Sequence, residues 1–263
     1  MKKTRKLVEC AVLIAIATVL SLIKLVDLPY GGSITAASML PMIIIAYRHG
    51  LAWGLGSGLV YGAIQQLTGL NTLSWVTTWQ SILAVILLDY VIAFAGTGFG
   101  GVFRKKVTDG ASALALGALV ACVFRYACHV ITGCTVWAGL SIPDSAALIY
   151  SFAYNATYMI PETIVTVALA YYLGNVLDFE KEIPVRKKAE KGGAAYILAG
   201  VFATVGLIAD TVIIFSKLQD GETGDFVISN LSLVNWGAVG IITAVAILAT
   251  MVCVIINKTK KAQ

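Results

Sequence analysis

The sequence is short of charge. Only 13% of its 263 residues are Asp, Glu, Lys or Arg, against 59% hydrophobic, and the mean hydropathy is +0.86. A soluble domain of this length needs a charged skin, and these residues do not supply one. Runs of about ten residues alternating apolar and polar are also missing, which excludes an outer-membrane barrel. Helices are then the remaining way to satisfy every backbone group in hydrocarbon. There is no CxxC and no metal-ligand spacing among Cys10, Cys122, Cys128, Cys134 and Cys253, which read as small buried apolar residues. No GxxxxGK followed by Ser or Thr occurs, and no soluble stretch is long enough for a nucleotide-binding domain. Transport driven by ATP would therefore need an ATPase on another polypeptide. The net charge of +5 sits in short clusters between apolar runs, as topology signals do, and gives no footprint for nucleic acid.

What is there is an all-α pattern of a polytopic membrane protein. Eight apolar segments are expected at roughly 7–27, 36–47, 51–68, 80–103, 111–133, 145–177, 194–216 and 233–256. The run after MKKTRK is as long as a full span and lacks a small-x-small cleavage site, so it reads as a retained first helix. With the N-terminus in the cytoplasm, the inner side collects Lys2, Lys3, Arg5 and Lys6; Arg48; Arg104, Lys105 and Lys106; Lys181, Arg186, Lys187, Lys188 and Lys191; and Lys258, Lys260 and Lys261. Only Lys24 and Lys217 fall near the outer side, and Arg125 lies within a span. This asymmetry predicts an N-in, C-in topology. The charged stretch DFEKEIPVRKKAEKGG, 178–193, reads as a cytoplasmic linker. It divides the chain into a six-helix unit, 1–177, and a C-terminal hairpin with a basic tail, 194–263.

Polar groups inside spans are costly, and they are the informative ones. At 1.5 Å per residue, His129 lies roughly 6 Å and Arg125 roughly 12 Å below the outer end of the fifth segment, and Asp89 about 13 Å below that of the fourth. Tyr150 and Asn155 lie about 7 to 15 Å into the sixth. Trp75, Trp79 and Trp137 sit at the outer boundary, where an aromatic belt is also expected. Asp89 and Arg125 have similar depth, and two roles stay open for the acid: a structural ion pair with Arg125, or a ligand acceptor. Asn155 reads either as interhelical glue or as a ligand contact. Taken together, an acid, an imidazole, indoles, phenols and an amide at one level suit a small, flat, cationic molecule with hydrogen-bonding edges. Glu162, after Pro161, falls nearer the inner half and is expected to stand apart from this cluster; Glu9 carries no assigned role. Small residues recur every four positions at Gly54, Gly58 and Gly62 and at Ala11 and Ala15, which favours close helix approach.

Enzymatic chemistry is not expected. GLGSG, 54–58, has the glycine-flanked serine of intramembrane serine proteases. Ser57 is about 9 Å from the inner end of its helix, however, and His129 about 27 Å from the inner end of its own. That is too far for a nucleophile and its base.

Five stretches resemble the thiamine-specific substrate-binding (S) component of energy-coupling factor transporters: LPYGGSITAASMLP (28–41), GLVYGAIQQLTG (58–69), LLDYVIAFAGTGFGG (87–101), RYACHVITGCTVWAG (125–139) and ALIYSFAYNATYMIPE (147–162). The resemblance covers most of 7–177. It implies a six-helix bundle in the cell membrane that takes thiamine from outside and docks on a transmembrane coupling protein and two cytoplasmic ATPases. It also implies a binding site at Asp89, Tyr90, His129, Trp137, Tyr150, Asn155 and Trp79, and a partner interface at Ala11 and Ala15. No cofactor or metal is implied. Tyr30 is the one aromatic in the first outer loop, and the hairpin 194–256 has no counterpart in the family pattern. A proton-coupled secondary transporter for a small cationic heteroaromatic compound, and a ligand-free membrane scaffold, are the rival readings. Neither thiamine nor a precursor such as hydroxymethylpyrimidine is singled out by the residues themselves.

Overall fold

Apolar runs become helices here because hydrocarbon leaves the backbone no other partner. In the computed structural model, which describes residues 2–28, 32–138, 146–187, 193–218 and 227–262, the longer helices are α1 (Lys2–Leu22), α2 (Leu40–His49), α3 (Leu51–Thr68), α4 (Trp79–Gly101), α5 (Gly110–Thr135), α6 (Ala147–Val176), α7 (Gly193–Leu218) and α8 (Trp236–Ala262). Each falls on one of the eight expected segments. Five of them, α4 and α5 together with the apolar stretches of α6, α7 and α8, are long and apolar enough to cross a membrane. The protein is a helical, multi-pass membrane protein.

The first helix begins before its apolar run and ends before the run does. It stops at Leu22, and Lys24–Asp27 (β1) then pairs antiparallel with Ser33–Thr35 (β2). The chain next turns through Ala37, whose φ is 55°, into α2. This helix has only ten residues, about 15 Å long and half the thickness of a bilayer core. Leu40 to Arg48 are all buried, so α2 is a core rod surrounded by its neighbours. Its far end is held by charge. Arg104 Nη1 donates to the carbonyls of Tyr47 (3.0 Å) and Arg48 (2.5 Å), a cation at a helix C-terminus. Glu9 of α1 pairs with Arg48 and approaches His49 Nε2 at 3.2 Å, which supplies Glu9 with a structural role.

The glycine strip of α3 serves close packing within the bundle. A Cβ on Gly58 would lie 2.3 Å from the Phe94 carbonyl oxygen, and one on Gly62 would lie 2.7 Å from that of Tyr90. The backbones of α3 and α4 therefore nearly touch. Helix α4 is irregular where they do: it begins as α-helix under the Thr78 cap, widens to a π-helix over Ile86–Ile92 and tightens to a 3-10 turn over Gly96–Gly101. The widened segment carries Asp89 and Tyr90. π-turns tend to mark functional positions because they re-aim side chains within a continuous helix.

Two compact units result, Met1–Ala170 and Tyr171–Gln263, with the division inside α6. In the second, Leu177–Asp178 (β3) pairs antiparallel with Val185–Arg186 (β4). Helices α7 and α8 pack closely: a Cβ on Gly206 would sit 2.4 Å from that of Ala246, and Thr243 Oγ1 donates to Asp210 Oδ2 at 2.6 Å.

Candidate functional site

A cavity of about 290 Å³ opens in the first unit between the β1–β2 end, α3, α4, α5 and α6. Its organising group is the Asp89 carboxylate on the π-turn of α4. Asp89 Oδ1 lies 2.8 Å from His129 Nδ1, and Oδ2 is approached by the Trp137 indole N–H at 3.5 Å. On the other side of the ring, Arg125 Nε donates to His129 Nε2 at 3.0 Å. An imidazole that accepts at Nε2 must carry its proton on Nδ1, so His129 is neutral and donates to Asp89. The four groups form one chain, Arg125–His129–Asp89–Trp137, from α5 across to α4 and back to the end of α5.

That chain settles how Asp89 and Arg125 are related. They are joined through His129 and form no direct ion pair among the described contacts. The guanidinium instead lies 4.6 Å over the Phe94 ring, with Nη1 3.2 Å from Met39 Sδ. Asp89 thus keeps acceptor capacity toward the cavity.

Asn155 also lines the cavity and is 4% exposed. Its Nδ2 donates to the carbonyls of Ser151 (2.9 Å) and His129 (3.2 Å), and its Oδ1 accepts from Tyr158 OH at 2.5 Å. The amide thus ties α6 to α5 and orients a phenol in the wall. Tyr90, half-buried, presents its hydroxyl to the cavity and to Thr72 Oγ1 at 3.4 Å.

Five expected site residues therefore meet on one cavity: Asp89, Tyr90, His129, Trp137 and Asn155. Trp79 and Tyr150 do not line it. Trp79 stands in the first turn of α4, 69% exposed, and Tyr150 in the first turn of α6, partly exposed. Tyr30 lies outside the described residues. Ala11 and Ala15 are exposed on α1; Ala11 borders a surface groove with Cys10, Ala52 and Gly56. Ser57 lies on that groove, away from His129. Among the described residues no group of His, Cys, Asp and Glu could hold a metal ion.

A family model described as thiamine transporter protein (Thia_YuaJ) matches residues 7–179. The chain belongs to that family. It is 32% identical over 175 residues to the thiamine transporter ThiT of Bacillus subtilis (strain 168), covering 62% of this chain and 87% of that one. The uncharacterized protein YybS of the same organism is 27% identical over 212 residues, 79% of this chain and 59% of its own length. A match covering that share of the chain extends past residue 179 into α7. A solved structure of ThiT from Listeria monocytogenes superposes with a TM-score of 0.55 at 26% identity, over 66% of this chain and 95% of that one.

Within this thiamine transporter family member, one expectation needs correcting. Glu162 does not stand apart from the cluster. Its carboxylate accepts the Thr35 N–H at 2.6 Å and the Thr35 hydroxyl at 2.7 Å, and Thr35 and Ser38 line the cavity. The chain leading into the short α2 makes this link, since Thr35 and Ser38 come just before that helix. Several wall residues also escaped the sequence reading, among them Gln65, Phe94, Tyr154 and Tyr158. A signal for one of them was present. Ser151, Asn155, Tyr158 and Glu162 recur at steps of four, three and four, a single polar face on α6.

Proposed function

We propose that this chain binds thiamine in the Asp89 cavity and is the substrate-binding component of an ATP-driven energy-coupling factor transporter, with a transmembrane coupling protein and two ATPases as partners. The observation that carries the reading is the carboxylate of Asp89 on the cavity wall, flanked by an indole and a neutral imidazole, in a member of a thiamine transporter family. Asp89 accepts from the aminopyrimidine, where a carboxylate matches an exocyclic amine. Trp137 stacks on the thiazolium, since an indole face attracts a cation. His129 and Asn155 fix the geometry of both, and Tyr90 receives the hydroxyethyl arm. Trp79 and Tyr150 are assigned to the site on the family resemblance, Trp79 as a wall of the pocket and Tyr150 as an orienting contact. Cavity and β1–β2 face outward, and both termini lie in the cytoplasm, in keeping with the Lys and Arg distribution. Ala11 and Ala15 meet the coupling protein. Residues 1–177 form the binding domain, 178–193 a linker and 194–263 an added hairpin.

The test has two parts. Mass spectrometry of the molecule that co-purifies with the protein should identify thiamine; a different vitamin or pyrimidine precursor replaces the ligand assignment. Proteoliposomes holding this chain alone should bind thiamine without accumulating it. Accumulation driven by a proton gradient, with no ATPase present, defeats the proposed coupling.

A further inference from the structure

Arg125 lines the cavity but has no part in the ligand contacts above. Its work is done on His129, four residues on and so on the same face of α5. Arg125 Nε donates to His129 Nε2 at 3.0 Å, and His129 Nδ1 lies 2.8 Å from Asp89 Oδ1. The direction of the first bond is fixed, because a guanidinium keeps its protons in proteins and has no acceptor. Nε2 must therefore offer its lone pair, and the one ring proton sits on Nδ1, aimed at Asp89. The guanidinium is itself held in place, 4.6 Å over the Phe94 ring and with Nη1 3.2 Å from Met39 Sδ.

This arrangement closes the imidazole to a second proton. An imidazolium carries a proton on each nitrogen, and one on Nε2 would face the N–H of Arg125 head-on. The other ionisable groups about the ring supply no such block. Asp89 and Tyr90 come from α4, Cys128 from α5 itself, and Tyr154 and Tyr158 from α6, with the Tyr158 ring 6.2 Å away. Lys24 stands exposed at the rim, and Glu162 of α6 is bound to Thr35 behind the wall. Among the described residues, Arg125 and Asp89 alone hydrogen-bond to the ring. With Arg125 removed, the imidazole would keep a carboxylate on one nitrogen and leave the other bare, a setting in which histidine charges near neutral pH. An imidazolium there would set a second positive charge against a cationic ligand.

We propose that Arg125 is a positioning residue that acts through His129: its Nε–H occupies the imidazole Nε2, fixes the Nδ1–H tautomer and keeps a second cation out of the site, so that a cationic ligand binds equally well on either side of neutral pH. The proposal rests on the thiamine reading for its ligand and goes beyond it.

The experiment has two arms, both on the full-length protein. The first is calorimetric titration with thiamine at about pH 8 and about pH 6, for the unaltered protein and for Arg125→Met, which keeps much of the stem and removes the donor. The unaltered protein should hold its affinity within about twofold between the two conditions. If only the neutral ring admits a cation, a histidine of ordinary pKa, about 6.5, costs the variant about fourfold. A variant as flat as the unaltered protein overturns the proposal, and so does an unaltered protein that itself loses fourfold. The second arm is nitrogen-15 NMR of the imidazoles without ligand. The chain has two histidines, His49 and His129, and the signals of the second are those that His129→Gln loses. The unaltered protein should show a protonated Nδ1 and a bare Nε2 under both conditions. An Nε2–H tautomer, or an imidazolium at the lower pH, overturns the proposal even if Arg125→Met fails to fold. In the variant the imidazolium should appear at the lower pH. A loss of affinity without it has its source in another group, such as Glu162, and overturns the proposal too. If the unaltered protein binds no thiamine, the thiamine reading falls, whereas the tautomer, measured without ligand, still upholds or overturns the block at Nε2.

Discussion

In the proposed function ligand recognition turns on Asp89, the one carboxylate among the described residues that lines the cavity. A hydrogen bond to a charged group contributes about 1.5–3 kcal/mol, so Asp89→Asn should weaken thiamine binding by about ten- to a hundredfold in a calorimetric titration. Retained affinity removes the acceptor role. The variant should leave the fold intact, since an amide oxygen still accepts from His129 Nδ1. Trp137 is argued from a different interaction. A desolvated cation–π contact is worth about 2 kcal/mol on indole and less on a phenyl ring. Trp137→Ala should therefore cost about thirtyfold in affinity and Trp137→Phe visibly less. Equal losses for Ala and Phe point to the Asp89 contact of the indole N–H as its main contribution. The set of residues around this pair was partly legible in the sequence because charges and indoles are rare at depth in a membrane helix. Gln65 and Tyr154 were not, because neither a glutamine nor a tyrosine standing alone on a membrane helix announces which way it faces.

At the scale of elements, the helix positions followed from hydropathy with ends displaced by up to about six residues: 51–68 was expected for α3, which spans Leu51–Thr68, whereas 7–27 was expected for α1, which spans Lys2–Leu22. What hydropathy does not encode is how deep a short helix begins. Residues 36–47 are a short apolar segment with Pro41, and α2 is a buried half-length rod; the link from Glu162 to Thr35 just before it leaves no trace in hydropathy. The π-turn of α4 was equally invisible, since i→i+5 bonding leaves no periodic trace in so short a stretch. Its packing does have a testable consequence. Gly58 faces α4 with a backbone oxygen 2.3 Å from any added Cβ, whereas Gly56, two residues earlier, meets nothing within 4 Å. Gly58→Ala forces two backbones apart and should destabilise by about 1–3 kcal/mol. Gly56→Ala should be neutral or slightly stabilising, because alanine is the better helix former by about 1 kcal/mol. Thermal unfolding of the two variants in detergent checks this. Equal behaviour of both means the α3–α4 contact is not a tight one.

For the whole molecule, the division into two units bears on what the last helices contribute. Every residue that lines the cavity lies between Ser21 and Tyr158, inside Met1–Ala170. The family match ends at residue 179, and ThiT from Listeria monocytogenes is 95% covered by 66% of this chain. The second unit has its own interior in the tight α7–α8 contact and the Thr243–Asp210 hydrogen bond. Changes at sites that share no partner are additive within about 0.5 kcal/mol. A chain ending at Lys187 retains β3 and β4, including the bonds from Lys187 to Val176 and Gly174, and loses α7 and α8 entirely. Its affinity for thiamine should match that of the full chain within about twofold. A tenfold loss in the shortened but folded protein, with thermal unfolding still cooperative, makes the hairpin a part of the binding machinery. Preserved affinity assigns it instead to a task performed after the vitamin is bound, and uptake by the reconstituted transporter is then the measurement in which its removal should register.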